Sequence, residues 1–363
     1  MSVMDRWLKK IQALSAKAQP FRWHVAGGAV LLVAASVLLF WFVITGATRL
    51  DRVNQTPTPT STIDVLAKLV TRRLDGVLVS PQDNAYPPRA VMIENHPDAR
   101  PVSGLALASV VIEAPVEGGI TRFMALYDAT TTLAEVGPVR SARPYFVDWA
   151  NGFRASYFHV GGSPEALDKI RGLSGFTDVN EFAYGNSFWR DSRRAAPHNT
   201  YTDKDRMDAI LGRKQATGTR AVEAWHFIDM ASSTDRGDVK SVRIPYGGSF
   251  NVTWNYDVER GLYVRNQGAL VQKGRDGSII EVHNVIVIKT EQQVLDEVGR
   301  LRVRTVGGGE AIAYRDGRKF ILRWRRAAGE PIRFEGDDGA EFLLTRGKTW
   351  IQVTTDDATF AGL

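Results

Sequence analysis

Apolar and polar positions follow three rhythms along this chain. From Val25 to about Gly46, within "HVAGGAVLLVAASVLLFWFVITGATRL", apolar residues run on with no charge between them. Roughly 20 such residues, rising about 1.5 Å each as a helix, match a hydrocarbon core about 30 Å thick. The pattern predicts one transmembrane helix over 25–47. Arg6, Lys9, Lys10, Lys17 and Arg22 precede it, against the acid Asp5. That bias places segment 1–24 in the cytoplasm and the globular part outside, as a single-pass protein of the cytoplasmic membrane. A cleaved signal peptide is the competing reading, but the run is long for one and lacks a clean small-residue cleavage site. Pro and Thr then dominate "NQTPTPTSTIDV", so 48–74 reads as an extended linker.

Between 75 and 215 the rhythm is mixed. "RAVMIEN", "ASVVIEAPV", "TRFMALYD" and "ASYFHVGG" are apolar runs of strand length. Tyr145, Phe146, Trp149 and Phe153 recur at helical spacing. Ser163 before Pro164 and Glu165 is a helix start, with a hydroxyl to cap it and proline at the first position. Another capped helix is expected from near Thr202. Strands mixed with helices predict an α/β, or α+β, first domain. From 216 to 363 the period shortens to two. "VKSVRIPYG", "FNVTWNYD", "HNVIVIKTE", "EAIAYRDGRKFILRWRR" and "KTWIQVTT" are β-branched or aromatic and separated by turn residues, which predicts a β-rich second domain.

Composition narrows the partners only a little. The 363 residues suffice for two domains and an anchor. A net charge of +6 permits nucleic acid, anionic lipid or an anionic envelope polymer. The basic segments "GRLRVRTVG" and "GRKFILRWRR" alternate with apolar residues, the pattern of a solvated strand face, which argues against nucleic acid. The absence of cysteine excludes disulfides, thiolate metal sites, a cysteine nucleophile and a lipidated cysteine.

Candidate chemistry concentrates in the first domain. "EVGPVRSARPYFVDWAN" places Arg140 and Arg143 just before a helix. Either they brace nearby carboxylates, with Glu113, Glu117 and Asp148 as partners, or they hold an anion. Arg122 follows the Gly118–Gly119 turn after Glu117. Gly161, Gly162 and Ser163 join a strand to a helix start, a geometry that can aim backbone N–H groups at an anion. "FWRDSRRAAPHNTYT" adds Arg190, His198 and Asn199 in a polar loop. His198 is the better candidate for a general base; His159, at the end of an apolar strand, is the weaker one, with Glu117 or Asp128 to orient it. A metal site from His96, His159, His198 and nearby carboxylates lacks any short histidine spacing, so no metal and no cofactor is expected. Walker, dinucleotide and nucleophile-elbow motifs are missing.

Together "RAVMIENHPDARPVSGL", "EAPVEGGITRFMALY", "VGPVRSARPYFVDWA", "HVGGSPEAL" and "FWRDSRRAAPHNTYT" resemble the YerB-like lipoprotein family of bacteria, and "EAIAYRDGRKFILRWRR" with "GKTWIQV" resembles that family's second domain. The resemblance spans roughly Asp75 to Val353. It implies a membrane-tethered protein outside the cytoplasmic membrane and supplies no reaction. Family members often carry a lipidated cysteine, from which this chain departs. The order of paired strands, arginine turn and glycine–helix join is also similar, at fold level alone, to the LytR-CpsA-Psr phosphotransferases, although their Pro-Arg-Asp motif is absent.

The function expected is binding of an anionic, phosphate- or carboxylate-bearing envelope ligand by Arg122, Arg140, Arg143, Gly161, Gly162, Ser163, Arg190 and Asn199. An envelope phosphotransferase or hydrolase acting on a lipid-linked or wall polymer is the alternative. A protein–protein scaffold, with an envelope protein as partner, is the third.

Overall fold

The computed structural model describes Leu38, Phe40, Trp41, residues 69–216 and 225–356, and Ala358. Residues Lys68–Leu363 form one compact unit. Its backbone is a ten-stranded mixed sheet. In chain order the relevant strands are β1 (Arg89–Glu94), β2 (Val110–Pro115), β3 (Thr121–Tyr127), β4 (Ser156–His159), β5 (Asp178–Asn180), β6 (Ser241–Ile244), β7 (Val252–Asp257), β8 (Leu262–Gln267), β9 (Leu270–Val271), β10 (Glu281–Val282), β11 (Asn284–Lys289), β12 (Gly307–Arg315), β13 (Arg318–Arg326), β14 (Arg333–Glu335) and β15 (Thr349–Thr354). The large sheet has the order β14-β13-β12-β11-β15-β2-β3-β1-β4-β5. Strands β6 to β9, with β10 paired to β8, make a second, five-stranded sheet. The helices are α1 (Pro144–Gly152), α2 (Pro164–Gly172) and α3 (Lys204–Arg213).

Three layers follow from the period of two. In β1, Ala90 and Met92 face one core while Val91 and Ile93 face the other. The first core takes Tyr145, Phe146 and Trp149 of α1 and Ala166 of α2. The second takes Met207 and Ile210 of α3 together with Trp254 and Tyr263 of the small sheet. A strand buried on both faces needs apolar residues at every position, which is why β1 and β3 read as continuous runs.

The expected fold class, α/β (or α+β) followed by β-rich, does not hold. Among the described residues the fold is mainly β, with three α-helices after Lys68. One sheet draws on both halves of the sequence. Strand β15 makes the join: it pairs in parallel with β11 through Asn284↔Thr349 and with β2 through Thr349↔Val110. Local periodicity identifies "KTWIQVTT" as a strand but carries no information about which edge it will pair with.

The expected transmembrane helix also finds no support. Among the described residues no helix is long and apolar enough to cross a membrane. The segments expected as 1–24, 25–47 and the spacer within 48–74 lie outside the described residues, apart from Leu38, Phe40, Trp41 and 69–74.

Candidate functional site

The cleft forms where two parallel strands part. β1 and β4 pair from Arg89↔Ser156 to Val91↔Phe158. Beyond that the arginine segment enters between them. Arg140 donates its N–H to Met92 O at 3.0 Å, and Val160 donates to Arg140 O at 3.1 Å. Ile93 bridges Val139, and Ala142 bridges Gly162. Carboxyl ends of parted parallel strands are the usual ligand crevice of open sheets. β3 runs the other way, so its first residues reach the same end. Arg122 lies opposite Glu94 on one side and Ala114 on the other.

The crevice has a volume of about 510 Å³ and is lined by Glu94, Asn95, His96, Glu117, Thr121, Arg122, Arg140, Ser141, Arg143, Gly162, Ser163, His198 and Arg300, among others. That size suits a small ligand or the head of a larger one.

Three of its four arginines, those on or beside the strands of the large sheet, differ in how they are held. Arg143 is clamped. Its Nε and Nη2 reach the two oxygens of Glu117 at 2.5 and 2.7 Å, and Nη1 donates to Ala142 O at 2.7 Å. Burial works against ionisation of Glu117, but the hydrogen bonds and charge of Arg143 outweigh it and hold the carboxyl below its ordinary value. Arg140 Nε lies 3.0 Å from Glu94 Oε1, close enough for charge attraction but misaligned for a hydrogen bond. Arg122 is different again. It is 8% exposed, donates from Nη1 to Ser141 O at 2.7 Å, and has no carboxylate within ion-pair distance among the described residues. Burial pulls its guanidinium down to about 10, and repulsion from Arg143 and Arg140 adds to the effect. At neutral pH it is still a cation.

Opposite the arginines stands a histidine pair. Glu94 is buried, and its Oε2 accepts from His198 Nδ1 at 2.9 Å. That leaves Nε2 of a neutral His198 with the lone pair. The ring of His198 stacks on His96 at 4.9 Å. Arg194 ties the two loops together, donating to Ala99 O at 2.7 Å and Pro101 O at 2.8 Å.

The glycine–helix join closes the cleft rather than opening it to a ligand. Gly161 sits at φ +57°, where an added Cβ would lie 2.8 Å from Phe182. Gly162 packs against Ala142 of the arginine segment. Ser163 Oγ accepts from Ala166 N–H at 3.3 Å, Pro164 has no N–H, and Leu167 N–H bonds Ser163 O. The first turn of α2 is therefore capped by its own residues, so what this wall offers an anion is the guanidinium groups.

Of the residues expected from the sequence, Glu117, Arg122, Arg140, Arg143, Gly162, Ser163 and His198 line this one cleft. The others do not. His159 is fully buried, with Nδ1 2.6 Å from Gly161 O and Nε2 2.6 Å from Asp178 Oδ1, so neither nitrogen is left for a substrate. Asp128 follows the far end of β3, about 20 Å from Arg122 at roughly 3.3 Å per residue, and turns back to Thr130. Arg190 pairs with Asn199 at 3.2 Å and Glu181 at 3.1 Å. Gly161 lies behind Gly162 as a hinge of the backbone.

Glu94, Asn95, His96 and Arg300 complete the lining, and of these the sequence brings forward only His96, as a weighed metal ligand. "ENHPDAR", a polar run straight after a buried strand, was the available signal for the first three. Arg300 comes from a hairpin of Gln292–Val294 and Leu301–Val303 and bonds Glu165 at 2.9 Å, a contact between distant segments. Behind the cleft, Asn95 donates to Thr121 Oγ1 at 2.7 Å, and Thr121 donates to Glu113 Oε1 at 2.8 Å. Glu113 is fully buried and pairs with Arg265 of β8 at 2.8 Å, while Trp350 Nε1 donates to it at 3.1 Å.

Two family models match the chain. Residues 74–218 match the "Protein of unknown function (DUF3048) N-terminal domain", and residues 242–351 match the corresponding C-terminal domain. A protein described as "Putative lipoprotein YerB", from Bacillus subtilis (strain 168), is 31% identical over 296 residues, which is 80% of this chain and 88% of that one. The crystal structure of YerB protein from Bacillus subtilis superposes with a TM-score of 0.73 at 30% identity, covering 80% of this chain and 99% of the other.

Proposed function

This chain belongs to the YerB-like family of DUF3048 proteins, and on that premise we propose that its cleft is a receptor site for an anionic, phosphate- or carboxylate-bearing ligand of the cell envelope. Arg122 carries the reading. A buried guanidinium costs several kcal/mol in lost hydration unless something neutralises it. Arg143 has Glu117 and Arg140 has Glu94, yet Arg122 has one backbone carbonyl and the open cleft. A phosphate or carboxylate there supplies the missing partner and accepts the planar fork bidentately. Arg140 and Arg143 flank that position and add attraction. The Bacillus relative is described as a lipoprotein, which supports a place for the globular part outside the cytoplasmic membrane.

The test uses pyrophosphate as the probe, with the full chain and its Arg122→Gln variant. Bound at a hundred times its dissociation constant, a ligand stabilises by about 2.7 kcal/mol, read as a rise in melting temperature. Native protein is expected to show that rise and the variant to lose it. An equal rise in both, or none in either, sinks the proposal.

A second reading has its own observation. His198 is oriented by buried Glu94 through Nδ1 and keeps Nε2 at the cleft. That is the arrangement of a general base, and the arginines would stabilise charge developing on a transferred phosphoryl group. Turnover of a polyprenyl pyrophosphate that disappears in His198→Ala would favour an envelope phosphotransferase or hydrolase. Binding without turnover leaves the receptor reading in place.

A further inference from the structure

We infer that His96, Asp98 and His198 form a site for one divalent cation of the zinc class at the rim of the cleft. One ligand atom from each lies within 4.8 Å of the other two. His96 Nδ1 is 3.6 Å from Asp98 Oδ2. Donors around a tetrahedral ion with bonds of about 2.0–2.1 Å stand closer than these distances, and the two imidazoles lie stacked, so binding requires the His96 ring to turn out of the stack until its lone pair meets that of His198.

The protonation pattern suits a metal. His96 Nδ1 accepts the Asp98 amide at 3.2 Å, so this nitrogen carries no hydrogen, and a metal takes its one lone pair by displacing that bond. His198 gives its Nδ1 to Glu94 and keeps Nε2 free. A carboxylate behind a metal-binding imidazole fixes the ring and raises its basicity. Glu94 is buried and also faces Arg140, so it is held in place from two sides. The donors sit on two loops separated in sequence, and the Arg194 bonds to Ala99 O and Pro101 O keep those loops in register. Two imidazoles with one carboxylate select zinc, iron, cobalt or nickel over magnesium and calcium, which prefer all-oxygen cages.

Arg140 and Arg194 add positive charge nearby, and Glu94 and Asp98 offset it. Three protein ligands leave a fourth position for water or an anion oxygen. His96 and His198 both line the cleft, so that position opens onto it. The metal site uses none of the three arginines that hold the anion and stands or falls separately from them, whereas a metal on His198 Nε2 would remove that nitrogen as a general base.

The experiment titrates metal-free full-length protein with Zn²⁺ by calorimetry, with Mg²⁺ as the control. One equivalent of Zn²⁺ is expected, with a higher melting temperature, and no response to Mg²⁺. His96→Ala and His198→Ala should each lose the binding. Glu94→Gln should weaken it by about 10–100-fold. Arg122→Gln should leave zinc binding unchanged, which separates this result from failure of the anion proposal. Native protein that takes up no zinc, or histidine variants that bind it as native does, would overturn the site.

Discussion

Two buried arginines of this protein lie in different chemical worlds. Arg265, between the two sheets, is 0% exposed and meets a carboxylate that is 0% exposed as well. Its guanidinium also lies over the rings of Trp350, Phe123 and Trp254. Arg122, at the mouth of the large sheet, has one carbonyl and two like-charged neighbours. The two regions are joined through Glu113, Thr121 and Asn95. The difference teaches how to tell a brace from a binding group. Both cations are removed from water, but only Arg265 has a carboxylate in direct contact; Arg122 feels Glu117 at a distance, against repulsion from Arg143 and Arg140.

Stability measurements can break that comparison. Arg265→Met strands Glu113 in the interior and should cost about 3–5 kcal/mol in urea unfolding. A loss under about 1 kcal/mol would mean the pair is dispensable and the contrast empty. Arg143→Ala should cost about 2 kcal/mol, because it removes two charge-assisted hydrogen bonds from a carboxylate that is largely buried. The same variant has a pH signature. Glu117 has a folded value below 4.5, so its contribution is complete above the unfolded value and fades as pH falls through the lowered one. Native protein should therefore lose more stability than Arg143→Ala on the acid limb below about pH 4.5.

Arg122→Gln is expected to change stability by no more than about 1 kcal/mol, and in the direction of a gain, since it removes an uncompensated charge. A loss of the size seen for Arg265 would make Arg122 a brace. The smallest effect belongs to Arg190→Ala. Its pair with Glu181 is half exposed, and the change should stay within about 0.5 kcal/mol and leave pyrophosphate binding untouched.

The sequence exposes the arginine end of this site because the chemistry is local. A charged residue between glycine turns and buried strands is visible without a structure, and Arg122, Arg140, Arg143, Ser163 and His198 fall in one cleft. What stays hidden is pairing at long range. Glu113 appeared a natural partner for the cleft arginines, yet it turns inward to Arg265, 152 residues away. His159, the weaker candidate from the sequence, is taken by Asp178 on the neighbouring strand. Asp128 is close to Arg122 along the chain and far in space, because an extended strand lies between them. Even the fold class fails at the same point: strand periodicity is local, whereas the single large sheet depends on where β15 pairs.

That placement of β15 bears on how the protein is made. Thr349–Thr354 is synthesised after every other strand of the large sheet, yet it occupies a position between β11 and β2. Until it leaves the ribosome, both neighbours present open apolar edges, and neither half of the sheet can be finished by local pairing. The cleft strands β2, β3, β1 and β4 pair with one another in the absence of β15, but the free edge of β2 stays open until the last-made strand arrives. A nascent chain stopped before Thr349 would expose two strand edges far apart in sequence, β2 and β11, to chaperones and proteases.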